Sequence, residues 1–147
     1  MTVVAEEWSQ RARDAVQRAG HRSGGARSAV IELLARQDCC LSAQEIHDVL
    51  RSEGRGVGIA SVYRALDVLG SLKLVQRVEM GEGIARYEPV HAGGEHHHHL
   101  VCERCGRVQA FEDGDLESAL DRLADREGFD VSGHDVVLRG TCADCRG

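Results

Sequence analysis

Aromatic residues are scarce in this chain, with one Trp, two Tyr and two Phe among 147 residues. A core of packed rings is therefore excluded, and Leu, Val, Ile and Ala must fill the interior. No apolar run approaches the roughly 20 residues that a membrane span requires. The opening Met-Thr-Val-Val-Ala-Glu-Glu-Trp is acidic and has no apolar h-region of a secretory signal. These absences predict a soluble, cytoplasmic protein with no membrane partner. An excess of positive charge is also lacking: the formal net charge is −6, which does not suit indiscriminate binding to nucleic acid. No H-E-x-x-H or similar helix motif is present, so nothing supports a zinc hydrolase, a small-molecule substrate or any catalytic residue.

What the chain does have is cysteine in pairs. Cys102 and Cys105 form one C-x-x-C, and Cys142 and Cys145 form another. Each motif supplies two thiolates from one tight turn, at a bite that suits tetrahedral zinc. Two such pairs complete a four-sulfur shell with no open position for substrate, so the site reads as structural. Without an export signal, this spacing reads as metal before disulfide. The unbroken run His96, His97, His98 and His99 just before the first pair is a separate stock of ligands.

Charge is distributed unevenly. Residues 1–88 are neutral overall, whereas residues 89–147 carry the whole net charge of −6. The first part can bind DNA if its arginines gather on one face; the second is too acidic to do so. Helical patterns cover 5–19, 26–36 and 59–70, and Ser42-Ala43-Gln44-Glu45 is a capping box that opens another helix. Strand-like segments at 74–79 and 84–90 flank a glycine-containing turn. Short helices followed by a hairpin form the layout of a winged helix-turn-helix, in which one helix enters the major groove. Here that helix is 59–70, with Ser61, Tyr63 and Arg64 facing outward. Beyond the two glycines of 91–95, short strands around the cysteines and a helix at 115–127 predict a small α+β unit clamped by zinc. In that helix Leu116, Ala119, Leu120 and Leu123 form the expected buried stripe.

Taken together, these stretches resemble the Fur superfamily of bacterial metal-responsive repressors, most closely its zinc uptake regulator branch. The resemblance runs in order through Ser42-Ala43-Gln44-Glu45-Ile46-His47 and Gly58-Ile59-Ala60-Ser61-Val62-Tyr63-Arg64-Ala65-Leu66. It continues through His96-His97-His98-His99-Leu100-Val101-Cys102-Glu103-Arg104-Cys105-Gly106 and Gly140-Thr141-Cys142-Ala143-Asp144-Cys145. It implies an α+β fold: an N-terminal winged-helix DNA-binding domain over 1–88, a hinge over 89–95, and a small C-terminal α/β dimerisation and metal-sensing domain over 96–147. It also implies a homodimer on double-stranded operator DNA and a structural Zn2+ on the four cysteines.

The resemblance further implies two regulatory sites. One lies between the domains and draws on Cys40, His97 and His99, with Glu88 or His91 from the hinge region. A second takes His96, His98, Glu117 and His134. The alternation of the four histidines follows from a strand placing residues i and i+2 on one face. Arg27, Ser61, Tyr63 and Arg64 are the implied DNA contacts. The chain departs from its relatives at Ser23-Gly24-Gly25-Ala26, where a Thr and a Pro usually precede the arginine, so the start of that helix is expected to be looser. A thiolate among imidazoles favours zinc as the sensed metal, with Fe2+ as the alternative. The reading is therefore a metal-dependent repressor that senses zinc and controls metal uptake genes. The alternatives are an iron-sensing regulator of the same family or a zinc-buffering protein.

Overall fold

In the computed structural model, residues 3–22, 24–37, 39–81, 83–92 and 97–147 are described. The chain divides into two compact units, Met1–Glu95 and His96–Gly147. Among the described residues, no helix is long and apolar enough to cross a membrane.

The first unit runs α1 (Val3–Arg18), α2 (Gly25–Arg36), β1 (Leu41–Ser42), α3 (Ala43–Ser52), α4 (Ile59–Ser71), β2 (Val75–Glu79) and β3 (Ala85–Pro89). Its core is aliphatic, as the shortage of rings requires. Val30, Leu33 and Leu34 of α2 meet Ile46 and Leu50 of α3 and Val62, Leu66 and Leu69 of α4. Trp8 of α1 is the one large ring in this cluster. Its indole N–H donates to the carbonyl of Leu74 at 3.0 Å, so its single polar atom is satisfied inside the core.

Local sequence explains where these helices begin. The Ser42 side chain accepts from the Glu45 backbone N–H, and the Glu45 carboxylate accepts from the Ser42 N–H, completing the capping box. Glu45 also takes Arg86 of β3 at 2.6 Å, which ties the hairpin to the start of α3. By contrast, the N-cap of α2 is Gly24, which has no side chain to accept from the first turn. The strands pair antiparallel in the order β1-β3-β2, with Leu41 opposite Tyr87 and Gln76 opposite Glu88. Helices followed by a two-stranded wing make this unit a winged helix-turn-helix.

The second unit runs β4 (His98–Cys102), β5 (Val108–Phe111), α5 (Gly114–Glu127), β6 (Val137–Gly140) and the short α6 (Ala143–Arg146). Its sheet has the order β5-β4-β6, antiparallel on one side of β4 and parallel on the other. Asp113 caps α5 by accepting from the Leu116 N–H at 2.9 Å. Gly128 ends the helix in the left-handed region at φ 74°, a conformation that glycine adopts without a Cβ penalty. One expectation is corrected here. No residue of α5 is buried, and Ala119 and Leu123 are exposed rather than part of a buried stripe. The reason is that the chain's own sheet does not pack over this face of the helix. Leu100, Phe129, Val131 and Leu138 of this unit are likewise left exposed.

Candidate metal centres and nucleic-acid surface

The four paired cysteines converge. The ligand atoms of Cys102, Cys105, Cys142 and Cys145 all lie within 4.8 Å of one another. The first pair sits in the turn after β4, closed by Gly106 N–H donating to the Cys102 carbonyl at 2.9 Å, with Gly106 at φ 75°. The second pair brackets the first turn of α6, where Cys145 N–H donates to the Cys142 carbonyl at 3.0 Å. Two arginines clamp the turns together. Arg104 donates to the Cys145 carbonyl at 2.6 Å, and Arg107 pairs with Asp144 at 2.7 Å.

This donor set fits zinc. Tetrahedral Zn–S bonds of ~2.3 Å place sulfurs about 3.8 Å apart, and the Cys105 and Cys142 sulfurs are 3.8 Å apart. The thiols are electrostatically unequal. Backbone N–H donors, Cys142 foremost, hold the Cys102 thiol down to about 6. Hydrogen bonding with the neighbouring thiols of Cys142 and Cys105 pushes Cys145 up to about 12. Four thiolates at this range repel one another, and a divalent cation relieves that repulsion.

A second cluster lies on the same unit. His98 of β4, Glu117 of α5 and His134 of the loop before β6 bring their ligand atoms within 4.8 Å of one another. Glu117 bridges the two rings: one carboxylate oxygen meets His98 Nε2, and the other lies 2.9 Å from His134 Nε2. The rings are 5.1 Å apart between centroids. His98 is only 1% exposed, whereas Glu117 is half-buried and reaches it from the rim. Two imidazoles and a carboxylate are an ordinary zinc donor set. His96, the remaining member expected for this cluster, lies outside the described residues.

The residues expected for the interdomain site are placed unit by unit. In the first, Cys40 is 3% exposed and Glu88 is 8% exposed. Cys40 directly precedes β1, whose Leu41 stands opposite Tyr87, the chain neighbour of Glu88, and the Glu88 charge bears on the Cys40 thiol. Contact with the Cys39 thiol, together with burial, pushes the Cys40 thiol well above its ordinary range. His91 is half-buried just beyond β3. In the second unit, His99 is fully buried on β4, and the half-buried His97 just before β4 lies 3.6 Å from Glu112. The sequence gives no hint of Glu112 as a neighbour of His97.

On α4 the buried stripe of Val62, Ala65, Leu66 and Leu69 leaves Tyr63 and Arg64 exposed and Ser61 half-buried. Arg64 donates to the Ser61 hydroxyl at 3.0 Å. A concavity of about 310 Å³ joins Ser61 and Arg64 to Arg22, Gly24, Ala26 and Arg27. Three of the four expected contact residues therefore share one basic hollow, and Tyr63 stands on the same helix. Arg22 was missed, because a lone arginine in a polar turn carries no pattern. It lines the hollow, and its carbonyl accepts from Arg27 at 2.6 Å.

A winged helix in one unit, with thiolate and imidazole clusters in the other, defines a class, the metal-responsive regulators. Comparison with known proteins narrows it. The profile of the ferric uptake regulator family matches residues 18–139. The zinc uptake regulation protein of Mycobacterium tuberculosis is 38% identical over 130 residues, covering 87% of this chain and 97% of that one. The ferric uptake regulation protein of Bacillus subtilis is 34% identical over 117 residues, 78% of each chain. The structure of the Helicobacter pylori ferric uptake regulator superposes with a TM-score of 0.84 at 27% identity, covering 100% of this chain and 98% of that one. The chain belongs to the ferric uptake regulator family of metal-responsive regulators.

Proposed function

We propose that this protein is a zinc-responsive repressor of metal-uptake genes that acts as a homodimer on two-fold symmetric operator DNA. The observation that carries this reading is a buried sulfur, Cys40, in the winged-helix unit; the proposed regulatory set adds a carboxylate and imidazoles to it. Sulfur with nitrogen favours zinc, whereas oxygen-rich sets favour iron or manganese. The zinc-regulating relative at 38% identity supports the same choice. The H. pylori relative is described as having three functional metal-binding sites, and three donor sets are proposed in this chain as well.

In this reading the four paired cysteines hold a permanent zinc that staples residues 96–147, the dimerisation domain. His98, Glu117 and His134, joined by His96, form one exchangeable site. Cys40, His97 and His99, with Glu88 or His91, form the switching site. Cys40, Glu88 and His91 belong to the winged-helix part over 1–88 and its hinge over 89–95, whereas His97 and His99 belong to the dimer core. Bound zinc would supply the Lewis acid shared by these donors. The donors restrict the hinge when they converge, and this fixes the spacing of the two α4 helices in the dimer. A two-fold dimer matches an operator whose half-sites lie one helical turn or a multiple apart. The differential affinity between restricted and free hinge provides the coupling. Arg22, Arg27 and Arg64 meet phosphates, and Ser61 and Tyr63 face the groove. The apolar side chains left exposed on the second unit, Leu100, Leu123 and Leu138, suit a partner protomer.

Iron sensing is the second reading, favoured by the carboxylates of Glu88 and Glu117. Selection of bound duplexes from a randomised DNA pool, run separately with zinc, ferrous iron and manganese, distinguishes the two. Zinc should enrich a two-fold symmetric sequence at the lowest free metal, and His97→Ala should lose that enrichment with its fold intact. Enrichment at lower free ferrous iron would favour the second reading. No enrichment with any metal would overturn both and leave metal buffering.

A further inference from the structure

Two cysteines stand outside the four-sulfur centre. Cys39 and Cys40 precede β1, and their sulfurs lie 3.6 Å apart. Consecutive residues of an extended strand point to opposite faces. This pair lies in the irregular bend between α2 and β1, where both sulfurs turn to the same side. Neither belongs to the hydrophobic cluster that fills the first unit, although Cys40 is buried and Cys39 half-buried. Cys40 counts among the buried apolar side chains of the unit, but packing alone does not explain why the half-buried Cys39 sulfur turns to meet it.

The separation has chemical meaning. Tetrahedral bonds of ~2.3 Å to one ion put two sulfurs about 3.8 Å apart, so this pair needs only a slight adjustment. Glu88 is buried on β3 next to Tyr87, the partner of Leu41, and its charge bears on the Cys40 thiol. Two sulfurs and a carboxylate thus come from neighbouring positions of one unit.

We infer that Cys39 is a second thiolate donor of the regulatory set, so that the first unit offers two adjacent sulfurs to one thiophilic divalent cation. This rests on the assignment of Cys40 to the switching site and extends it. A two-thiolate set discriminates more strongly against ferrous iron and manganese than a single sulfur does. Cys39 is then a specificity residue: its loss should leave a site that still binds metal but separates zinc from iron less sharply.

The test uses the full-length protein with its four-cysteine centre loaded with zinc, under reductant, and with cobalt(II) as the probe added to the exchangeable sites. Sulfur-to-cobalt charge transfer in the near ultraviolet reports thiolates bound to the added ion. Cys39→Ser and Cys40→Ser should each retain about half of the wild-type band, and the double variant should lose it, as expected for two equivalent sulfur donors. Cys39→Ala should match Cys39→Ser. Unaltered Trp8 emission and one retained zinc confirm that each variant is folded. If Cys39→Ser keeps the full band while Cys40→Ser abolishes it, Cys40 is the single sulfur donor. The inference then fails and the switching site survives. If neither single variant changes the band, the switching-site assignment fails as well.

Discussion

The backbone N–H of Cys142 donates to the Cys102 sulfur at 3.3 Å, so the two knuckles are joined before any ion is considered. This bond is the largest reason the Cys102 thiol is held down to about 6, while its neighbours push Cys145 up to about 12. Without metal at neutral pH, Cys102 is a thiolate and Cys145 keeps its proton. Binding zinc must therefore release at least one proton, and affinity should fall about tenfold for each pH unit of acidification per proton released. In the metal-free form the two thiols act in opposite senses. The depressed Cys102 contributes stability above its ordinary value of 9.0, lost as pH falls through about 6. The raised Cys145 contributes stability below its ordinary 9.0, lost as pH rises through about 12. Chelator competition from pH 6 to 8 measures the slope; a flat profile would contradict the assignment of these thiols as ligands.

Replacing Cys102 with Ser should be drastic. The second unit has few buried side chains of its own, so its stability depends on the staple. Loss of zinc together with loss of the dimer, seen by sedimentation, is the expected result.

Glu117→Gln should behave differently. It keeps the shape of the bridge between His98 and His134 but removes its charge. One exchangeable metal equivalent should be lost while the zinc of the four cysteines and the helical circular dichroism remain. Calorimetric titration of the chelated protein counts the remaining equivalents.

The basic hollow makes a salt-dependent prediction. Arg22→Ala and Arg64→Ala should each weaken DNA binding across sequences and lower the slope of log K against log salt by about one. If Arg22→Ala leaves the slope unchanged, that residue is only a prop for Arg27, whose guanidinium bonds its carbonyl.

Trp8 is the one Trp in the chain, so its emission follows the first unit alone. Trp8→Ala removes the ring and its bond to Leu74 from a closed core and should cost about 3–5 kcal/mol. Urea unfolding followed by circular dichroism measures the loss.

The contiguous features were legible in the sequence. Ser42 and Glu45 cap one helix, the stripe from Val62 to Leu69 orients another, and a glycine turn marks the hairpin, because each is encoded within a few residues. The paired cysteines were legible for the same reason, since each knuckle is one turn. His98, Glu117 and His134 span 37 positions of the numbering and no local period joins them; only the family resemblance suggested the set. Arg22 and Glu112 acquire partners through the fold alone. The stripe of α5 misled because periodicity identifies an apolar face but not whether the same chain supplies its cover.

The most direct measurement is metal identity and stoichiometry per chain, before and after mild chelation, on protein purified without a tag. The account predicts one zinc retained and one or two equivalents lost, with zinc returning in preference to ferrous iron and manganese. If all metal leaves together, or only one equivalent ever binds, the histidine clusters are not sensor sites and the switch has no basis.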